Sequence, residues 1–375
     1  MIYNESKYNR HWETKRLSDL GTFSRGISKH RPRNDKCLFE GGGYPLIQTG
    51  EIKSANLYIT NHTQEYGEFG LRQSKLWDTG TLCITIAANI AETAILSYPM
   101  CFPDSVVGFK ANRKQSSELF MYYVFDFVRH TIQNAATGSA QDNINIDYLT
   151  SLDFKVPTKE NQDRIVRVLS AIDGKILKNT QINDNLEQMA YDTYMHLFFK
   201  KQPNGNLGEI IVENNKSSVQ VGKAKGKSGD YPFFTSGDAI LEWDCGMVDG
   251  RNCFLNTGGN AGVKFYVGEA AYSTDTWCIT ANSDLEDYLY LLLLSIKPEL
   301  NQKFFQGTGL KHLQKPLLKD RLIYIPSEEE IKGFNSKVQP LMDMISANTR
   351  ENKRLINLRD WLLPMLMNGQ ATVSN

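Results

Sequence analysis

The sequence lacks net charge: its 42 basic and 42 acidic residues cancel over 375 positions. No global field favours a polyanion or an acidic substrate, so contact with nucleic acid has to come from local basic patches. Long apolar runs are missing too. The longest aliphatic stretch, Leu289 to Ile296, falls far short of the ~20 residues that cross a bilayer, and Met1 to Arg10 is polar without the apolar core of a signal sequence. A cytoplasmic chain is expected. Cysteine is sparse: Cys37, Cys83, Cys101, Cys245, Cys253 and Cys278 make no Cys-x-x-Cys pair and meet no histidine at zinc-finger spacing. That excludes a disulfide scaffold, and the six are read as reduced core residues with no metal site.

Catalytic signatures are also absent. Gly222-Lys223-Ala224-Lys225-Gly226-Lys227-Ser228 imitates a phosphate loop, but only three residues separate its glycines where four are needed, and it runs into Gly229-Asp230-Tyr231-Pro232, which cannot open the required helix. Pro103-Asp104 with Asp153-Phe154-Lys155 matches a metal-nuclease pattern no better than chance fragments do. There is no Asn-Pro-Pro-aromatic tetrapeptide and no glycine-rich cofactor turn after a strand, so no S-adenosylmethionine site is legible. The six histidines are dispersed and read as structural or surface residues.

What is present is an internal repeat. Tyr44-Pro45 is echoed by Tyr231-Pro232, Gly80 and Cys83 by Gly250 and Cys253, Asp104-Ser105 by Asp275-Thr276, Thr137-Gly138 by Thr308-Gly309, and Val156-Pro157 by Ile325-Pro326. The offsets are 187, 170, 171, 171 and 169, so the second copy is 17 residues shorter between Tyr44 and Gly80, and the first carries an extra loop near Lys53 to Asp78. Each copy reads as an α+β globule: short β-rich runs (Thr81 to Ile86, Val106 to Lys110, Cys253 to Asn256, Val263 to Val267) and one helix (Glu118 to Gln133, Leu285 to Ile296). Each globule feeds a long amphipathic helix, which divides the chain into globule 1–156, helix 157–200, globule 201–325 and helix 326–370.

The helices open on Pro157-Thr158-Lys159-Glu160 and Pro326-Ser327-Glu328-Glu329, offering a Thr or Ser N-cap with acids in the first turn. A 3.5-residue seam runs through Ile165, Leu169, Ile172, Ile176, Asn179, Asn183, Leu186, Ala190, Thr193 and Leu197, and through Phe334, Val338, Leu341, Ile345, Asn348, Asn352, Leu355, Arg359, Leu362 and Leu366. Its asparagines fall at equivalent positions. In an antiparallel coiled coil, Asn179 and Asn183 would meet Asn348 and Asn352 and set the register.

Local positive charge recurs at one place in both globules. Arg25, Lys29, Arg31, Arg33 and Lys36 gather before Tyr44-Pro45 with only Asp35 against them, and Lys216, Lys223, Lys225 and Lys227 gather before Tyr231-Pro232 without an acid. Interleaved with glycine and serine, such stretches suit phosphate contacts, which position a duplex without reading it. Base readout needs forked donors and acceptors; the candidates are Gln48, Gln64, Arg72, Gln73, Gln141 and Asn143 in the first copy and Asn256, Asn260, Lys311 and His312 in the second. A non-catalytic structural adaptor that scaffolds proteins through its globules and coiled coil is the alternative reading, and a stand-alone enzyme with a diverged site is a further one.

Trp12, Leu17, Leu20 and Gly26, the stretch Tyr44-Pro45-Leu46-Ile47-Gln48-Thr49-Gly50-Glu51-Ile52, the Thr137-Gly138-Ser139-Ala140-Gln141 loop, and Val156-Pro157 leading into a helix resemble the landmarks of the specificity subunit of type I restriction-modification systems. The second copy departs from the pattern, with Leu207-Gly208-Glu209-Ile210 lacking the tryptophan and Gly309-Leu310-Lys311 in place of the small polar loop. The resemblance implies two target recognition domains held apart by an antiparallel helix pair, each reading one half of a split site in double-stranded DNA. The extra loop of the first copy and the few polar loop residues the copies share make the two halves expected to differ, so that the site is asymmetric. The resemblance also implies a non-catalytic subunit without a cofactor of its own. Two modification (methyltransferase) subunits and the restriction subunits would bring S-adenosylmethionine, ATP and Mg2+. About 40 helical residues at ~1.5 Å each make a rod of ~60 Å, longer than one duplex turn of ~34 Å, so the helices are expected to act as a ruler between half-sites.

Overall fold

The computed structural model describes residues 4–87, 89–137 and 146–373. It divides into two compact units, Met1–Ile176 with Arg354–Asn375, and Leu177–Lys353. Among the described residues no helix is long and apolar enough to cross a membrane.

In the first unit the strands are β1 (Glu13–Arg16), β2 (Gly21–Arg25), β3 (Tyr44–Leu46), β4 (Tyr58–Ile59), β5 (Gln64–Tyr66), β6 (Leu76–Trp77), β7 (Leu82–Thr85), β8 (Thr93–Leu96), β9 (Met100–Cys101), β10 (Val106–Ala111) and β11 (Asp153–Val156). Helix α1 (Glu118–Thr137) precedes β11, and the long helix α2 (Lys159–Leu197) follows it. The strands form sheets of order β2-β10-β7-β8-β4, β5-β3-β9-β6 and β1-β11. All four residues of β7 are buried, because both its faces are covered. Successive side chains of a strand point to opposite faces, so Leu82 and Ile84 enter a core with Phe120, Tyr123 and Val124 of α1, whereas Cys83 enters one with Trp77 and Phe102. Gly108 faces that second core, and a Cβ there would stand 2.5 Å from the Trp77 ring and 2.9 Å from that of Phe102.

The second unit contains β12 (Gly205–Asn206), β13 (Ile211–Glu213), β14 (Tyr231–Phe234), β15 (Ile240–Trp243), β16 (Arg251–Asn256), β17 (Val263–Val267), β18 (Ala271–Tyr272), β19 (Thr276–Ala281), β20 (Phe305–Gln306), β21 (His312–Leu313) and β22 (Leu322–Ile323). Helix α3 (Glu286–Ser295) follows β19, and α4 (Glu328–Met367) follows β22. The repeat reaches strand order: β13-β19-β16-β17 matches β2-β10-β7-β8, β15-β14-β18 matches β5-β3-β9 with the β3–β9 and β14–β18 pairs both parallel, and β12-β22 matches β1-β11. Side-chain alternation repeats as well, with Cys253 and Leu255 facing the α3 core and Phe254 the core between sheets. The expected strands and helices are present with ends moved by a few residues. The extra length of the first copy forms the short helices Thr49–Ser54 and Glu68–Arg72 with β4 and β6, which have no counterpart between β14 and β16.

Helices α2 and α4 are 39 and 40 residues long. Ser327 caps α4 through a reciprocal box, its amide donating to Glu330 Oε2 at 2.9 Å and its Oγ accepting from the Glu330 amide at 3.3 Å. Thr158 Oγ1 accepts from the Asn161 amide at 3.5 Å at the start of α2. Pro340 and Pro364 both lie inside α4, each removing one amide donor, and the segment is helical through both. Within each unit the two helices run antiparallel. In the first, Ile165 and Leu169 share a core with Leu363 and Leu366, and Arg359 Nη1 donates to Asp173 at 3.0 Å. In the second, Asn179 Nδ2 donates to Asn352 Oδ1 at 2.9 Å and Asn348 Nδ2 to Asn183 Oδ1 at 2.8 Å.

Each globule is fastened to its helices through an aspartate, but not at equivalent positions, because the 169-residue helix repeat matches Asp173 to Met342. Asp173 of α2 accepts from the Tyr123 hydroxyl at 2.6 Å, and Asp343 of α4, 170 residues on, pairs with Arg251 of β16. Arg251 also donates to both carboxylate oxygens of Asp287 on α3, at 2.7 and 2.8 Å.

Candidate nucleic-acid interface

The first basic stretch leaves β2 at Arg25 and passes through Gly26, where a Cβ would stand 2.3 Å from the carbonyl oxygens of Phe102 and Pro103. Arg25, Lys29, Arg31, Arg33 and Lys36 are all exposed. The expectation that only Asp35 opposes them needs correction. Asp104 lies 2.7 Å from Arg33 and 3.7 Å from Arg31, while Asp35 faces His30 at 2.9 Å instead. Arg31 further donates to the carbonyl oxygens of Ser28 and His30, at 2.5 and 2.8 Å. Exposed pairs of this kind contribute ~0–1 kcal/mol, so a phosphate can replace Asp104 at low cost. Among the described residues Arg25, Lys29 and Lys36 form no ion pair.

The loop is laid against the end of the Glu68–Arg72 helix. Lys29 donates its amide to the Gln73 carbonyl at 3.0 Å, and Ser74 Oγ donates to the Ile27 carbonyl at 2.9 Å. This brings the readout candidates Arg72, exposed, and Gln73, half-buried, beside the basic stretch. Gln48 and Gln64 form a second group: both are exposed, with Gln48 Nε2 at 3.5 Å from Gln64 Oε1. Gln141 and Asn143 lie outside the described residues.

The same loop gathers three unlike side chains. Asp35 Oδ1 accepts from the Cys37 amide at 3.2 Å, its Oδ2 faces His30 Nε2, and Cys37 Sγ stands 3.9 Å from that same nitrogen. Hydrogen bonds from His30 and Cys37 hold the Asp35 carboxyl below its ordinary value, while burial, followed by Asp35, pushes the Cys37 thiol up. Cys37 is half-buried and Cys245 exposed, so only Cys83, Cys101, Cys253 and Cys278 fit the expectation of core residues.

In the second unit Lys216, Lys223, Lys225 and Lys227 are exposed, and Val221–Ala224 forms one helical turn inside the stretch that imitates a phosphate loop. Lys227 is opposed by Asp244 at 3.2 Å and lies 4.4 Å over the Trp243 ring. The tip of the β16–β17 hairpin packs beside β21 and the residue before it: the Gly259 amide donates to the Lys311 carbonyl at 2.9 Å, and the Leu313 amide to the Thr257 carbonyl at 3.0 Å. Asn260, Lys311 and His312 are thereby brought together, all exposed. Asn256 is the exception among the readout candidates. It is 7% exposed, donates to the Asn260 carbonyl at 3.1 Å and accepts from Lys264 at 3.4 Å, so its amide closes the hairpin instead of facing solvent.

Linear charge counting missed Lys315 and Lys319, which lie on the short helix Lys315–Lys319 and flank Glu213 of β13, Lys315 at 3.6 Å. Lys216 acts electrostatically on Lys315, whose ammonium burial holds below its ordinary value. Nothing in the sequence signals this group, because about 100 residues separate the short helix from Glu213. Lys264 was missed for a similar reason: it points inward, where burial lowers its pKa, and it donates to the Thr235 and Gly237 carbonyls at 2.8 and 2.5 Å.

A family model described as type I restriction modification DNA specificity domain matches residues 9–188 and again 199–357. The chain is similar to the type I restriction enzyme MjaIX specificity subunit of Methanocaldococcus jannaschii, at 21% identity over 98% of this chain and 95% of that protein. It is similar to the type I restriction enzyme HindI specificity subunit of Haemophilus influenzae, at 21% identity over 60% of this chain and 71% of that one. Its fold is similar to the crystal structure of a type I restriction-modification system S subunit from M. genitalium, with a TM-score of 0.62 and 14% identity over 98% of this chain and 99% of that one.

Proposed function

The chain belongs to the family of type I restriction modification DNA specificity domains, and from that membership we propose that it is the non-catalytic subunit that gives such a complex its DNA sequence specificity. Each repeat serves as one target recognition domain, 1–156 and 201–325, for one half of a bipartite site in double-stranded DNA. Helices 157–200 and 326–370 set the spacing, with Asn179, Asn183, Asn348 and Asn352 fixing their register. Modification (methyltransferase) and restriction subunits assemble on it in the cytoplasm and carry the chemistry, with S-adenosylmethionine, ATP and Mg2+ bound by them. The observation that carries this reading is the match of one family model to each of two copies with the same strand order.

Within that reading Arg25, Lys29, Lys36, Lys216, Lys223 and Lys225 contact phosphates, as do Arg31, Arg33 and Lys227 by exchanging an acid for a phosphate. Gln48, Gln64, Arg72 and Gln73 in the first domain, and Asn260, Lys311 and His312 in the second, are the candidates for reading base edges. The two sets differ in residue type, which supports two unlike half-sites. Expression of the chain with its modification and restriction subunits, followed by methylation-sensitive sequencing of the host genome, is the test. The expected result is methylation at one two-part, non-palindromic motif; a palindromic motif, or none, would overturn the reading.

A further inference from the structure

We propose that His30, Asp35 and Cys37 form a zinc site in the loop between β2 and β3. The three offer one nitrogen, one oxygen and one sulfur, and these ligand atoms lie within 4.8 Å of one another. In a tetrahedron of zinc ligands the nitrogen–oxygen edge is about 3.3 Å and the nitrogen–sulfur edge about 3.6 Å. The observed separations from His30 Nε2 are 2.9 Å to Asp35 Oδ2 and 3.9 Å to Cys37 Sγ. Shifts of a few tenths of an ångström therefore bring these two edges to binding distance, and the remaining oxygen–sulfur edge lies within 4.8 Å.

The local structure already orients each ligand. The Phe69 ring meets the His30 imidazole edge-on at 5.4 Å, and Asp35 Oδ1 is engaged by the Cys37 amide, which leaves Oδ2 for the ion. All three ligands fall within eight residues of one loop, and all are half-buried, so an ion reaches them without unfolding. A mixed nitrogen, oxygen and thiolate set suits a borderline-soft divalent cation, which points to zinc over magnesium or calcium. Zinc binds neutral imidazole, carboxylate and thiolate, so Cys37 loses one proton to solvent as the zinc–sulfur bond forms, and water takes the fourth position. The local charge becomes more positive by one. The ion would pin the segment from which Arg31, Arg33 and Lys36 project; that consequence, unlike the binding itself, rests on the DNA-reading function proposed above.

The test uses the purified full chain, stripped with a chelator and titrated with Zn2+ and separately with Co2+. One equivalent of zinc is expected to bind, releasing about one proton, and the cobalt form should show a thiolate charge-transfer band with tetrahedral d–d absorption. Cys37→Ser removes the charge-transfer band, His30→Asn and Cys37→Ser each reduce bound zinc from one equivalent to nearly none, and Cys245→Ser changes neither. Absence of stoichiometric binding to the wild-type chain, or binding lost through Cys245→Ser and kept in Cys37→Ser, overturns the site. Because the wild-type titration and proton release need no variant and no DNA, loss of zinc binding with an intact methylation motif sinks the metal site alone. Intact zinc binding without a motif sinks the DNA-reading function alone.

Discussion

Asp287 has no exposed surface, and burial pushes its carboxyl up to about 7 although Arg251 pulls it down. An unfolded aspartate titrates near 3.9. Between about 4 and about 7 the folded chain therefore holds a proton that the unfolded chain has released, and stability falls as pH rises through that window, by on the order of a few kcal/mol at most. Asp287→Asn cannot ionise and should flatten this slope while leaving Arg251 its partner Asp343. Hydrogen-exchange protection of β16 and α3, measured at pH 5 and pH 7.5 after correction for intrinsic rates, reads the difference. Equal slopes in the two proteins would show that the Asp287 carboxyl does not titrate in this range.

At the level of elements, the helix pair is a mostly apolar seam interrupted by amides. Asn179 is 1% exposed and divides its donors between Asn352 and Glu351, at 2.9 and 2.7 Å. Polar seam residues stabilise a register more than they stabilise the pair. Asn179→Leu alone removes the donor shared by Asn352 and the Glu351 carboxylate and should cost about 1–3 kcal/mol. Adding Asn352→Leu should recover that cost or exceed it, because two leucines pack where two amides were paired. Thermal unfolding followed by helical circular dichroism tests this through a double-mutant cycle; simple additivity of the two changes would mean that the asparagines do not act as a pair.

For the whole molecule, the helices matter through their length. Each gives part of its residues to each unit, α2 dividing at Ile176 and α4 at Lys353. Four residues inserted after Asn179 add ~6 Å of helix, against ~3.4 Å per base pair. The proposed spacing role therefore predicts a gap between half-sites one or two base pairs longer, with both half-sites unchanged, read by methylation mapping. An unchanged gap would remove the spacing role while leaving sequence reading intact.

The sequence by itself determined the duplication, the strands and the two long helices. Side-chain alternation in Leu82 to Thr85 and in Arg251 to Asn256, the Ser327 cap and the seam positions of the four asparagines are periodic or local features, set by neighbours a few residues apart. Tertiary structure decided which charges are free and which polar groups face outward. Asp104 reaches Arg33 across 71 residues, Lys319 reaches Glu213 across 106, and Asn256 turns its amide inward to close a hairpin that its composition would place at the surface. It also decided that a histidine, an aspartate and a cysteine without a recognisable ligand spacing meet in one turn of loop. Burial and pairing depend on which segments pack together, and neither linear charge nor periodicity records that.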